Sequence, residues 1–126
     1  MDEFEKRLRS IDWPKYSGPE HYRPQELIAS VLELFQLTEP DHLNKVYNRV
    51  LSAVGNNHAG TYYPAILEAM NFIDEIATNK RHEHASHVAS EVLIDLRESF
   101  HAEVGSYREH TAGQIEHFVQ NFNVRY

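Results

Sequence analysis

Residues 53–70 read AVGNNHAGTYYPAILEAM, and their punctuation decides the fold. Before this stretch Leu43, Val46, Tyr47, Val50, Leu51 and Val54 advance by alternating steps of three and one. That is the apolar stripe of a helix of period 3.6. Gly55 is expected to stop the helix by taking the left-handed conformation, which Asn56 and Asn57 tolerate next best. Pro64 suits a first helical position, because its missing N–H would have no intrahelical partner there. Ile66, Leu67, Met70, Ile73 and Ala77 then carry a second stripe onward. Between the two helices lie His58, Gly60, Thr61, Tyr62 and Tyr63.

Working outward, residues 2–11 form a short helical pattern with Phe4, Leu8 and Ile11 on one side. Residues 13–24 hold three of the five prolines, which predicts an irregular segment whose Trp13, Tyr16 and Tyr22 pack onto the helices. Residues 25–37 read as a largely buried helix through Leu27, Ile28, Val31, Leu32, Leu34 and Phe35. Thr38 and Asp41 fit a capping box for the helix that follows, and Pro40 at an early helical position fits equally. A fifth helix runs over residues 83–100, with Ala85, Val88, Ala89, Val92, Leu96 and Phe100 as its stripe. Gly105 and Ser106 break it. Residues 107–122 give a sixth pattern through Ile115, Phe118, Val119 and Phe122, weakened early by Gly113. No sustained alternation of period 2 argues for strands. The expected fold is all-α: a compact stack of five to six antiparallel helices, the unit of an α-solenoid.

Composition narrows the partners. A chain of 126 residues is one domain on size, with residues 1–24 as an N-terminal helix and aromatic segment and 25–126 as a helical body. Nineteen acidic residues against twelve basic ones leave a formal charge of −7, which repels phosphate backbones and anionic lipid. Nucleic acid and membrane are therefore not expected as direct ligands. A basic protein would be steered toward such a surface. Cysteine is absent, which excludes disulfides, iron–sulfur clusters and thiol catalysis and agrees with a reducing compartment. The opening residues, MDEFEKRLRS, lack the apolar core of a secretory leader, so the expected location is cytoplasmic.

The charge is uneven. Residues 1–25 carry five acidic and five basic side chains, whereas residues 26–79 carry seven and two. Glu68, Asp74 and Glu75 fall in a stretch without a basic residue, and Glu91, Asp95 and Glu98 follow at spacings of four and three on the next long helix. Both sets are candidates for one acidic partner-binding face, the alternative being an ordinary solvated surface. His58, Tyr62 and Tyr63 are added as loop candidates, the tyrosines supplying tight-binding contacts if exposed. The same loop also reads as structural, its polar groups satisfying helix ends.

Catalytic patterns do not emerge. Nine histidines invite a metal reading, and His84, His87 and Glu91 share a helix face. A zincin needs its second histidine four residues after the first, whereas His82-Glu83 is followed by His87 at five. Glu98 and His101 match half of a di-iron signature, but the second copy, Glu39 and His42, spans Pro40. No nucleophile elbow, phosphate-cradling loop or dinucleotide fingerprint is present. No metal, cofactor or enzymatic activity is expected, with a small metal-dependent enzyme or a helical scaffold module as rival readings.

An ordered set of residues adds a resemblance. Trp13, Tyr16 and Gly18, then Tyr22 and Pro24, then Tyr47, then the run AVGNNHAGTYYPAILEAMNFI, resemble small helical-repeat proteins related to HEAT repeats that are encoded as immunity partners of secreted bacterial toxins, including those of contact-dependent growth inhibition. The likeness spans residues 13–105. It implies a stoichiometric inhibitor of a cognate toxin domain, a basic nuclease being the expectation, and it brings no catalytic residue with it.

Overall fold

The computed structural model describes residues 2–16, 18–19, 22–80, 82–103 and 111–122. Six α-helices account for most of them: α1 (Asp2–Ser10), α2 (Pro24–Phe35), α3 (Leu43–Val54), α4 (Ile66–Thr78), α5 (Glu83–Ser99) and α6 (Ala112–Gln120). Two 3-10 turns, Trp13–Lys15 and Pro40–His42, precede α2 and α3. Three short strands complete the order: β1 (Gly55–Asn56), β2 (Thr61–Tyr62) and β3 (His101–Ala102).

The apolar stripes read from the sequence are the faces that meet. Val46, Val50, Leu51 and Val54 of α3 are buried, as are Ile66, Met70, Ile73 and Ile76 of α4 and Val88, Val92 and Leu96 of α5. Each such side chain removed from water contributes about 1.5–3 kcal/mol before the entropy of ordering is subtracted. The most extensive helix contacts are between α4 and α5 and between α2 and α3, with α3 also packed on α5. Ile115 and Val119 bring α6 into the same core. The N-terminal helix joins through Phe4, which stacks on Phe35 at 4.2 Å and meets Phe72 edge-on at 5.7 Å.

The aromatic segment behaves as its composition predicts. Trp13 is buried and its indole N–H donates to the Leu8 carbonyl at 2.8 Å, while Tyr16 is buried beside it. Tyr22 is half-buried, and its hydroxyl donates to the Trp13 carbonyl at 2.6 Å.

Strands are the first correction. β1 pairs antiparallel with β2, and β2 pairs parallel with β3. The backbone N–H of His101 donates to Gly60 at 2.9 Å and that of Glu103 donates to Tyr62 at 3.0 Å, so the chain leaving α5 runs alongside the hairpin. Two-residue strands are too short to display alternation, which is why no period marked them.

Gly55 is the second correction. Its φ of −175° is extended, not left-handed. The glycine is required instead by contact: a Cβ there would sit 2.0 Å from the Thr61 carbonyl oxygen and 2.6 Å from the Tyr62 Cα. Gly60, at φ +70°, is where the hairpin turns through left-handed backbone.

Helix starts differ in detail. Pro64 lies two residues before α4, in a turn where Ile66 N–H donates to the Tyr63 carbonyl at 3.0 Å. Neither Thr38 nor Asp41 caps α3 by a side chain; the 3-10 turn Pro40–His42 leads into it. The capping box belongs to α6, where the Thr111 hydroxyl accepts from the Gln114 N–H and the Gln114 side chain accepts from the Thr111 N–H. Gly105, Ser106 and residues 107–110 of the expected sixth helix lie outside the described residues. Among the described residues, no helix is long and apolar enough to cross a membrane.

Candidate functional site

The apolar stripe of α5 packs inward, which forces its polar positions outward. Glu83, His87, Glu91, Ile94 and Glu98 recur at steps of four, four, three and four, and all five are exposed. They form one ridge along the helix. Ile94, 37% exposed, is the one large hydrophobic side chain left open among the described residues. An apolar anchor among acids is an arrangement that protein interfaces use, the apolar group supplying binding energy and the surrounding charges excluding wrong partners.

Beside this ridge a cleft of about 360 Å³ opens between α3 and α5, lined by Leu43, Asn44, Tyr47, His87, Val88 and Glu91. Two contacts organise it. The Tyr47 hydroxyl donates a hydrogen bond to Asp95, which fixes the phenol ring against α5. Burial pushes the Tyr47 phenol well above the ordinary tyrosine range, and the bond to Asp95 pushes it the same way, so Tyr47 stays neutral and donating. At the rim His87 Nε2 lies 3.5 Å from a Glu91 carboxylate oxygen.

The chain matches no family model, no curated protein and no solved structure.

The two acidic sets do not form one uniform surface. Glu75 accepts a two-pronged ion pair from Arg7 of α1, at 2.6 and 2.7 Å. Glu68 accepts from the Tyr16 hydroxyl at 3.1 Å, and Asp74 is half-buried on the same helix. Glu68 and Glu75 of α4 thus hold the N-terminal segment in place. On α5 the outcome is different: Asp95 is half-buried and bound to Tyr47, whereas Glu91 and Glu98 remain exposed. The division follows from which neighbour each helix flank meets, α1 for α4 and α3 for α5.

The loop candidates divide too. His58 is exposed near the hairpin tip, beside a second cleft of about 330 Å³ lined by Ser52, Gly55, Asn56, Asn57, His58 and Tyr63. Tyr62 and Tyr63 are 0% and 2% exposed, which corrects their reading as surface contacts. Tertiary packing is the cause: Tyr62 belongs to the hydrophobic core cluster, and Tyr63 meets the Tyr22 ring edge-on at 5.9 Å. Burial raises both phenols above their ordinary range. The Tyr62 hydroxyl has no hydrogen-bond partner among the described residues.

Of the histidine candidates, His87 stays beside Glu91 on α5, at 3.5 Å. Among the described residues no three His, Asp or Glu side chains converge as metal ligands. Glu98 and His101 do not share a helix, because α5 ends at Ser99 and the His101 ring lies 2.8 Å from Glu116 of α6. Sequence reading missed Asn44, Tyr47 and Ile94 as site residues. Tyr47 and Asp95 are 48 positions apart, and no local signal links them.

Proposed function

We propose that this protein is a stoichiometric inhibitor: a cytoplasmic immunity protein that binds a cognate secreted toxin, with a basic nuclease domain as the preferred partner. The observation that carries this reading is the α5 ridge, in which an exposed Ile94 sits among Glu83, Glu91 and Glu98. Such a face is steered toward positive potential and keeps phosphate backbones and anionic membranes away. The resemblance to HEAT-like immunity proteins agrees with it, and we read the helices accordingly as antiparallel pairs in a short stack. Support for that reading is the short link 79–82 between α4 and α5 and the mutual packing of α2 with α3.

The test is co-expression with a basic toxin domain encoded beside this gene. Cells should survive, and the two chains should elute as one complex of fixed stoichiometry. Combining Glu91→Lys, Ile94→Asp and Glu98→Lys should abolish protection while the circular dichroism spectrum stays helical. Full protection by that triple variant would remove α5 as the binding face, and absence of any complex with the wild-type chain would remove the immunity reading.

A further inference from the structure

Resting on that reading, we propose that the cleft between α3 and α5 takes one arginine side chain from the partner's surface. Four features of the cleft point to that occupant. Its volume of about 360 Å³ lies within the range of small-ligand sites, about 300–1,000 Å³. Leu43 and Val88 give it aliphatic walls, against which the methylene stem of a long cationic side chain packs while its head stays polar. Tyr47 supplies an aromatic ring held by its bond to Asp95, and a planar guanidinium stacks on such rings better than an ammonium does. Glu91 at the rim supplies a carboxylate able to accept two parallel N–H donors, and Asn44 supplies a neutral amide.

The charged groups around the cleft favour the same sign. The lining residues from α3 carry no charge, and α5 contributes His87 and Glu91, with Asp95 behind Tyr47. Of the cationic side chains nearby, Lys80 lines a neighbouring cleft that shares His87 with this one, and Lys45 follows Asn44 along α3. An incoming arginine displaces the 3.5 Å contact between His87 and Glu91, which is exposed on both sides and therefore inexpensive to break. A carboxylate or phosphate ligand would meet Glu91 and be repelled.

The experiment is a titration of the isotope-labelled full chain with N-acetyl-L-arginine amide, followed by backbone amide shifts, with N-acetyl-L-leucine amide as the apolar control. The arginine probe should produce saturable shifts clustered on Asn44, Tyr47, Val88 and Glu91, and the leucine probe should leave them unmoved. Glu91→Gln should weaken the arginine probe several-fold. Because Asp95 also positions Tyr47, Asp95→Ala, which removes the acceptor of the Tyr47 hydroxyl, serves as a second variant, expected to weaken the probe with the helical spectrum retained. Shifts spread evenly over Glu68, Glu83 and Glu98, equal response to the leucine probe, or indifference to Glu91→Gln would each overturn the arginine pocket. Such a failure leaves the α5 ridge intact as a partner face, whereas probe binding without toxin protection would keep the pocket and remove the toxin.

Discussion

The Gly55 Cα and the Thr61 carbonyl oxygen are so close that the hydrogen of Gly55 occupies the space any other side chain would need. This contact, at the first rung of the β1–β2 hairpin, turns the end of α3 back on itself and delivers Tyr62 and Tyr63 into the core.

Substituting Gly55 by alanine should therefore cost about 3 kcal/mol, toward the upper end for forced overpacking, because the obstruction is backbone and cannot swing aside. Gly60→Ala should cost only about 1 kcal/mol, since its φ of +70° is strained for alanine but its Cβ would meet the Ser99 carbonyl oxygen at an ordinary contact distance of 3.9 Å. Urea midpoints of the two variants check the order. A neutral Gly55→Ala beside a costly Gly60→Ala would mean that the hairpin closes differently.

Two tyrosine hydroxyls should respond oppositely to deletion. Tyr22→Phe removes a 2.6 Å bond to the Trp13 carbonyl and should destabilise by about 1 kcal/mol. Tyr62→Phe removes a buried hydroxyl that has no partner among the described residues, so it should be neutral or stabilise by up to about 1 kcal/mol. Thermal melts of both variants decide the matter, and a large loss on Tyr62→Phe would show that the phenol is satisfied after all.

Alkaline pH should unfold the protein. Burial raises the phenols of Tyr22, Tyr47, Tyr62 and Tyr63 in the folded chain. The folded state thus keeps protons that the unfolded chain releases above its ordinary tyrosine pKa of about 10. Their stabilising effect is complete below that pH and declines as pH rises beyond it. Tyrosinate absorbance from these four rings should therefore rise only above that pH, together with loss of helical signal. A single phase centred near pH 10 with the helix intact would contradict the burial of these rings.

The acidic residues should separate into two classes by variant. Glu75→Lys should lower the melting temperature by several degrees, because it repels Arg7 and loosens α1 from α4. Glu91→Lys and Glu98→Lys should leave melting within about 2 °C and instead slow association with a basic partner and flatten its salt dependence. Calorimetry and stopped-flow binding at two salt concentrations measure both quantities. Equal melting losses at Glu75 and Glu98 would erase the distinction.

Helix positions and the buried faces were readable from residues such as Val46, Val50, Ile73 and Val92, because a stripe of period 3.6 states which side of a helix leaves water. The composition of 13–24 likewise announced an irregular segment that packs through its rings, as Trp13 and Tyr16 do. The sign of the overall charge also belongs to the chain alone.

Tertiary structure decided the rest, for a physical reason: the decisive contacts join residues far apart in sequence, and no local pattern encodes their pairing. Whether Glu75 is a free surface charge or the partner of Arg7 depends on where α1 docks. Whether Tyr62 is a surface ring or a core ring depends on the packing that places it in the hydrophobic core cluster. Tyr47 reads as one more apolar-stripe residue until α5 lies beside α3 and Asp95 accepts its hydroxyl. Periodicity specifies which faces are buried, whereas packing alone selects which neighbour buries them, and from that choice come the α5 ridge and the cleft beside it.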